Sequence, residues 1–207
     1  MRLTMMLAGA MLAVMAAACN GDGTETTVRT PSADDPDTVA TGIPELDNTL
    51  NTALRLEAIE LAGLTGYQHL GCVEEAEDAP SPPVCRENED VGQEVESYPV
   101  LQCELVWVRP EVMSDIYAEA LGEEPRIVAV YRPTSRALVL EADYVAVFDT
   151  NTDDSEAGVA LWIKDGRVIQ VEYDCNNFAG LYAEDKVEQF VIAPGGGDAG
   201  GESSSGE

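Results

Sequence analysis

Five cysteines, one histidine and one alternating run of oxygen-bearing side chains are the residues of this chain best equipped for chemistry. The cysteines stand at 19, 72, 85, 103 and 175, and His69 lies three residues before Cys72. A thiolate beside an imidazole makes a nucleophile, but in an oxidising compartment a disulfide-bonded cysteine cannot attack anything. His69, Cys72, Cys85 and Cys103 have the atoms of a zinc site without its close paired spacing, and oxidation competes with metal binding. No GxSxG elbow, Walker loop or HExxH occurs. Carboxylates are so numerous that chance pairs abound, and no spacing singles out an acid–base couple. Read this way, the chain is not an enzyme.

Two groups of residues point instead to binding. Asp149, Asn151 and Asp153 match the first three alternate ligands of a calcium loop, where oxygens at every second residue wrap a hard cation. The match breaks at Asp154, where the sharp turn needs glycine, and at Ala160, where a bidentate Glu should close the site. A polar turn between two strands accounts for the same three residues. The 11 basic residues are scarce beside 39 acidic ones, so their positions matter more. Arg126, Arg132 and Arg136 gather round one hairpin, and Lys164 and Arg167 flank the tip of another. Either they ring the mouth of a pocket for an anionic ligand, with Trp162 and Tyr173 beneath it, or they neutralise neighbouring acids. The net charge of −28 repels nucleic acid and anionic headgroups, which excludes most nucleic-acid functions. It is compatible with a divalent cation or a basic partner, and it also serves plain solvation.

The first eighteen residues stand apart. Met1-Arg2 is a short basic start, Leu3 to Met15 is apolar, and Ala16-Ala17-Ala18 are the small residues a signal peptidase requires. The apolar run is shorter than the ~20 residues a helix needs to span a bilayer, so residues 1–18 read as a signal peptide. Ala16-Ala17-Ala18-Cys19 resembles the lipobox of bacterial lipoproteins, although Ala16 stands where Leu is usual. The resemblance implies cleavage before Cys19, a diacylglycerol thioether on its sulfur, and an acyl chain such as palmitate on the new amino terminus. It implies a lipid-anchored protein of the bacterial cell envelope, held to a membrane through Cys19. Asn20 after the cysteine fits outer-membrane sorting where the organism is Gram-negative. Ordinary cleavage after Ala-x-Ala is the alternative.

Cysteine parity favours lipidation. With Cys19 carrying lipid, four cysteines remain, and four permit three pairings. We favour Cys72–Cys85, closing a short Pro-rich loop, and Cys103–Cys175, whose long loop contributes about 3–5 kcal/mol on a chain-entropy argument.

Next come the elements that must position these residues. Residues 19–42 are rich in Gly, Thr, Asp and Pro and read as a lipidated cysteine on a disordered tether with a reach of roughly 25 Å. Residues 43–193 hold the single folded domain, and residues 194–207 form a Gly/Ser/Glu tail. Pro44 opens a helix whose stripe includes Leu46, Leu50, Ala53, Leu61 and Leu64, with a break near Arg55-Leu56-Glu57. A short strand from Tyr67 to Leu70 and another from about Glu94 to Leu101 bracket the acidic cysteine loop. Pro110 opens a second helix, with Val112, Ile116 and Ala120 as its spine and Gly122 as its stop. A meander follows from Arg126, and Phe178 to Ile192 reads as a short helix or an edge strand.

The clearest hairpin joins Gly158–Lys164 to Arg167–Tyr173 through Asp165-Gly166, a type I′ dipeptide. A regular ladder from that turn pairs Trp162 with Ile169, Ala160 with Val171 and Gly158 with Tyr173, all on one apolar face shared with Cys175. The fold class is therefore α+β: an antiparallel meander sheet, N-terminal and central helices packed on one face, stapled by disulfides. The element order looks like NTF2-like and cystatin-like domains, a resemblance of architecture with no diagnostic motif. The expected function is a non-catalytic binding domain for an unidentified protein or small molecule. The alternatives are an NTF2-like binder or enzyme with a pocket between sheet and helices, and an acidic calcium-dependent surface protein.

Overall fold

A computed structural model describes residues 38–75, 81–134, 141–150, 158–174 and 178–195. Its frame is an eight-stranded, mostly antiparallel sheet with three α-helices on one face, the α+β class expected. The strands are β1 (Gln68–Gly71), β2 (Glu94–Gln102), β3 (Glu104–Val108), β4 (Arg126–Pro133), β5 (Tyr144–Asp149), β6 (Gly158–Lys164), β7 (Arg167–Tyr173) and β8 (Val187–Ile192). Their order is β1-β2-β7-β6-β5-β4-β8, with β3 paired to β2. The meander β4 to β7 is the middle of the sheet. β2 joins it in parallel beside β7, with Val100 opposite Val171. β6 sits at the centre, and its run GVALWI is buried throughout because both faces of the sheet are covered.

The helices are α1 (Pro44–Leu54), α2 (Ala58–Gly63) and α3 (Met113–Leu121). Pro44 presets the first turn of α1, and Glu45 and Asp47 complement its positive end. Between α1 and α2 the chain breaks at Leu56, which takes a positive φ of 55°, and the Arg55–Glu57 ion pair (2.8 Å) spans the break. Leu46, Leu50, Leu61 and Tyr117 from the helices meet Phe148 and Leu161 from the sheet, all fully buried. Full burial of side chains of this size contributes about 1.5–3 kcal/mol each. The opposite face is covered by a 3-10 turn at Phe178–Tyr182, whose Leu181 packs with Trp162 and Ile169. Tyr131 donates its hydroxyl proton to the Leu181 carbonyl at 2.5 Å.

The hairpin departs from a regular ladder. Lys164 faces Arg167 as expected, and Ile163 faces Val168, but then Trp162 faces Gln170, Leu161 faces Val171 and Val159 faces Tyr173. Ile169 is a bulge. The physical reason lies in which residues the helix side will accept. A regular ladder carrying Val168 to the helices would carry Gln170 and Glu172 there too. The extra residue turns Gln170 and Glu172 toward Trp162 and delivers Val168, Val171 and Tyr173 to the helix-side core.

Other details also differ from expectation. On α3 the buried residues are Met113, Tyr117, Ala120 and Leu121, while Val112 lies in the preceding 3-10 turn and is exposed. β3 went unrecognised beside Cys103. The folded part also begins before residue 43. Val39 donates its N–H to Asn51 Oδ1 (2.8 Å) and accepts from Asn51 Nδ2 (2.9 Å), and the Thr41 N–H and hydroxyl both donate to Asp47 Oδ1.

Cys72 and Cys85 are bridged, with Cα atoms 4.9 Å apart. Cys103 is also disulfide-bonded, at the tight β2–β3 turn with φ 61°. The expected pairing with Cys175 falls outside the described residues, as does Cys19. Among the described residues no helix is long and apolar enough to cross a membrane.

Candidate functional site

The docking of α1 onto the hairpin tip builds the site. The Thr49 hydroxyl donates to the Gly166 carbonyl (2.6 Å), fixing the helix against the turn. Gly166 has φ 69°, and a Cβ there would stand 2.7 Å from Glu45 Cβ, so only glycine allows helix and turn this close. The start of β5 closes in beside them: the Asp143 N–H donates to Ile163 C=O, and the Asp165 N–H donates to Asp143 Oδ2 at 2.9 Å. Near the end of β4, Arg132 lies over the Tyr144 ring, 4.8 Å from its centroid, and donates from Nη2 to the Tyr144 hydroxyl at 2.7 Å.

Between these segments opens a cleft of about 370 Å³. Its lining is the half-buried Ile43, the buried Leu46, the Arg132–Tyr144 pair, Gly166, and Glu45, Asp143 and Asp165, which supply carboxylates. Among the described residues Arg132 makes no ion pair, and neither do the three carboxylates. Nor do these acids converge as a metal-ligand group. Among its described lining residues no nucleophile stands beside a base. Such a cleft can bind and orient a charged molecule. No family model, curated protein or solved structure matches this chain.

The four residues expected to share a pocket do not converge. Arg132 lines the cleft. Arg126 sits at the other end of β4, about 20 Å away along the strand, where it pairs with Asp149 at 2.5 Å. The bulge at Ile169 puts Trp162 and Tyr173 on opposite faces. Trp162 donates its indole proton to Glu172 Oε2 (2.8 Å), with Lys186 3.6 Å from that carboxylate's other oxygen. Tyr173 packs against the helix-side core and reaches the Ile116 carbonyl at 3.5 Å. Of the calcium candidates, Asp149 is engaged by Arg126, while Asn151 and Asp153 lie outside the described residues. His69 is exposed on β1.

Glu45, Asp143, Tyr144 and Asp165 escaped notice as site residues. Glu45 is a helix-start acid and Asp165 a turn residue, and only their meeting across Gly166 gives them a second role.

A second polar group lies within the helix-side core. The Thr65 and Tyr117 hydroxyls are 2.9 Å apart, and the fully buried Tyr98 hydroxyl lies beside Tyr117. Burial, above all, raises the pKa of Tyr98, Tyr117 and Tyr131, with the Glu172 charge adding to it at Tyr131.

Proposed function

We propose that this chain is an exported, lipid-anchored envelope protein whose folded domain is a non-catalytic binding module, and that the cleft between α1 and the hairpin tip is where it takes its ligand. One observation carries the binding assignment: an open cleft lined by a guanidinium and three carboxylates that form no ion pair among the described residues. The space between helices and sheet, where an NTF2-like pocket would lie, is filled by Leu50, Tyr98, Tyr117, Phe148 and Leu161, which favours binding at the rim over an enclosed active site. Anchoring finds support in the sulfur count. Cys72, Cys85 and Cys103 are all oxidised, as expected of an exported chain, and the proposed pairing of Cys103 with Cys175 would leave Cys19 for the lipid.

Native mass spectrometry of protein extracted from envelope membranes reads both halves. The expected result is a diacylglyceryl and acyl mass on Cys19, together with a small-molecule adduct that an Arg132→Gln, Glu45→Gln variant loses. A bare Cys19 thiol removes the anchor, and an adduct indifferent to the variant removes the cleft.

A further inference from the structure

We infer that the cleft takes a zwitterionic ligand with a surplus positive charge: a basic amino acid, or the carboxyl end of a peptide finishing in a basic residue. This rests on reading the cleft as the binding site and adds what kind of molecule fits it. Arg132 is exposed, and among the described residues only one of its five N–H donors is engaged, by the Tyr144 hydroxyl. Its position over the Tyr144 ring and its bond to the ring's hydroxyl restrain the guanidinium and leave donors for the two oxygens of a carboxylate, a fork that lysine cannot offer.

Glu45, Asp143 and Asp165 share the cleft with Arg132. Glu45 and Asp165 are exposed, and among the described residues their carboxylates accept no hydrogen bond. Asp143 Oδ2 accepts only the Asp165 N–H. Opposite charges therefore line one cleft without pairing with each other, and a ligand carrying both signs satisfies both. The lining holds three carboxylates and one guanidinium in a chain of net charge −28, so a simple anion is repelled and an extra cationic group is favoured. A metal ion fits poorly because the acids do not converge on one point. The half-buried Ile43 provides apolar contact for the methylenes of a long basic side chain.

The test is calorimetric titration of the natively purified, detergent-solubilised protein at low ionic strength with L-arginine, with agmatine (the same molecule without its carboxylate) and with the peptide Ala-Ala-Arg. L-Arginine or the tripeptide is expected to bind at least about ten-fold more tightly than agmatine. Tighter binding of the free amino acid points to an amino-acid ligand, and tighter binding of the tripeptide to a peptide end. Arg132→Gln, an exposed substitution whose folding is checked by an unchanged melting temperature, is expected to erase the preference over agmatine. Glu45→Gln with Asp165→Asn is expected to weaken all three. Equal affinity of the wild-type protein for agmatine and both carboxylate-bearing probes overturns the ligand class while leaving the cleft as a site. No binding of any probe, with the native adduct still lost on substitution, also overturns the class alone. If the adduct survives substitution, the cleft itself is lost.

Discussion

Gly166 carries more of this architecture than its size suggests. Its φ of 69° suits the turn, and its missing Cβ admits α1 to the hairpin tip. Gly166→Ala is therefore expected to cost about 2 kcal/mol, read as a lower denaturant midpoint. Gly63, in α2 with open space about its Cα, is the matched control. There alanine should stabilise by about 0.5–1 kcal/mol. If both alanines behave alike, the close approach at Gly166 is not what holds the tip. The tyrosines supply a second residue-scale test. The native state holds the protons of Tyr98, Tyr117 and Tyr131 more tightly than an unfolded chain, because burial disfavours the phenolate. Their contribution to stability is intact below the ordinary phenol pKa of 10 and is lost as pH climbs beyond it. Three of the seven tyrosines should thus ionise only in the step that unfolds the protein, seen by following tyrosinate absorbance and circular dichroism together. Full titration near pH 10 with the fold intact would contradict the packing described.

Among the elements, the bulged hairpin shows what local sequence can and cannot say. Asp165-Gly166 announced the turn, Pro44 the start of α1 and Gly122 the stop after α3, because each signal is carried by the backbone preferences of one or two residues. The faces of β7 were not legible. Whether Ile169 continues the ladder or bulges is decided by the helices, which accept Val171 and Tyr173 and exclude Gln170 and Glu172. The cleft was less legible still. Its walls come from residues 43–46, 132, 143–144 and 165–166, and no single stretch carries its pattern. The cysteine loop gives an element-scale prediction. Arg109, just after β3, grips Glu89 with two nitrogens at 3.0 and 2.7 Å and also donates to the Val84 carbonyl. That grip, with the Arg86 N–H bond, lowers the Glu89 pKa from 4.5 to about 2. The loop's attachment to the sheet should be whole above pH 4.5 and weaken as pH falls toward about 2. Denaturant titrations across that range should show a steeper acid loss in the wild type than in Glu89→Gln. Parallel curves would mean that the clamp does not stabilise the fold.

At the scale of the whole molecule, charge dominates. With a net charge of −28 the folded state repels itself, and several ion pairs such as Arg86–Glu111 offset only part of this at the surface. The melting temperature should rise as salt is added, chiefly up to about 0.15 M, where the screening length has fallen to ~8 Å. A flat salt response would show that the acids are spaced widely enough to ignore one another.

The Val39–Asn51 pairing adds a mechanical property to the molecule. Chain arriving from the N-terminal side meets the sheet-backed core through that pair, a few residues before Ile43 enters the wall of the cleft. A pull on residue 38 loads two short bonds to Asn51 on α1. Residues 38–41 and the wall of the cleft thus share one helix, α1, so a disturbance at either is carried to the other through it.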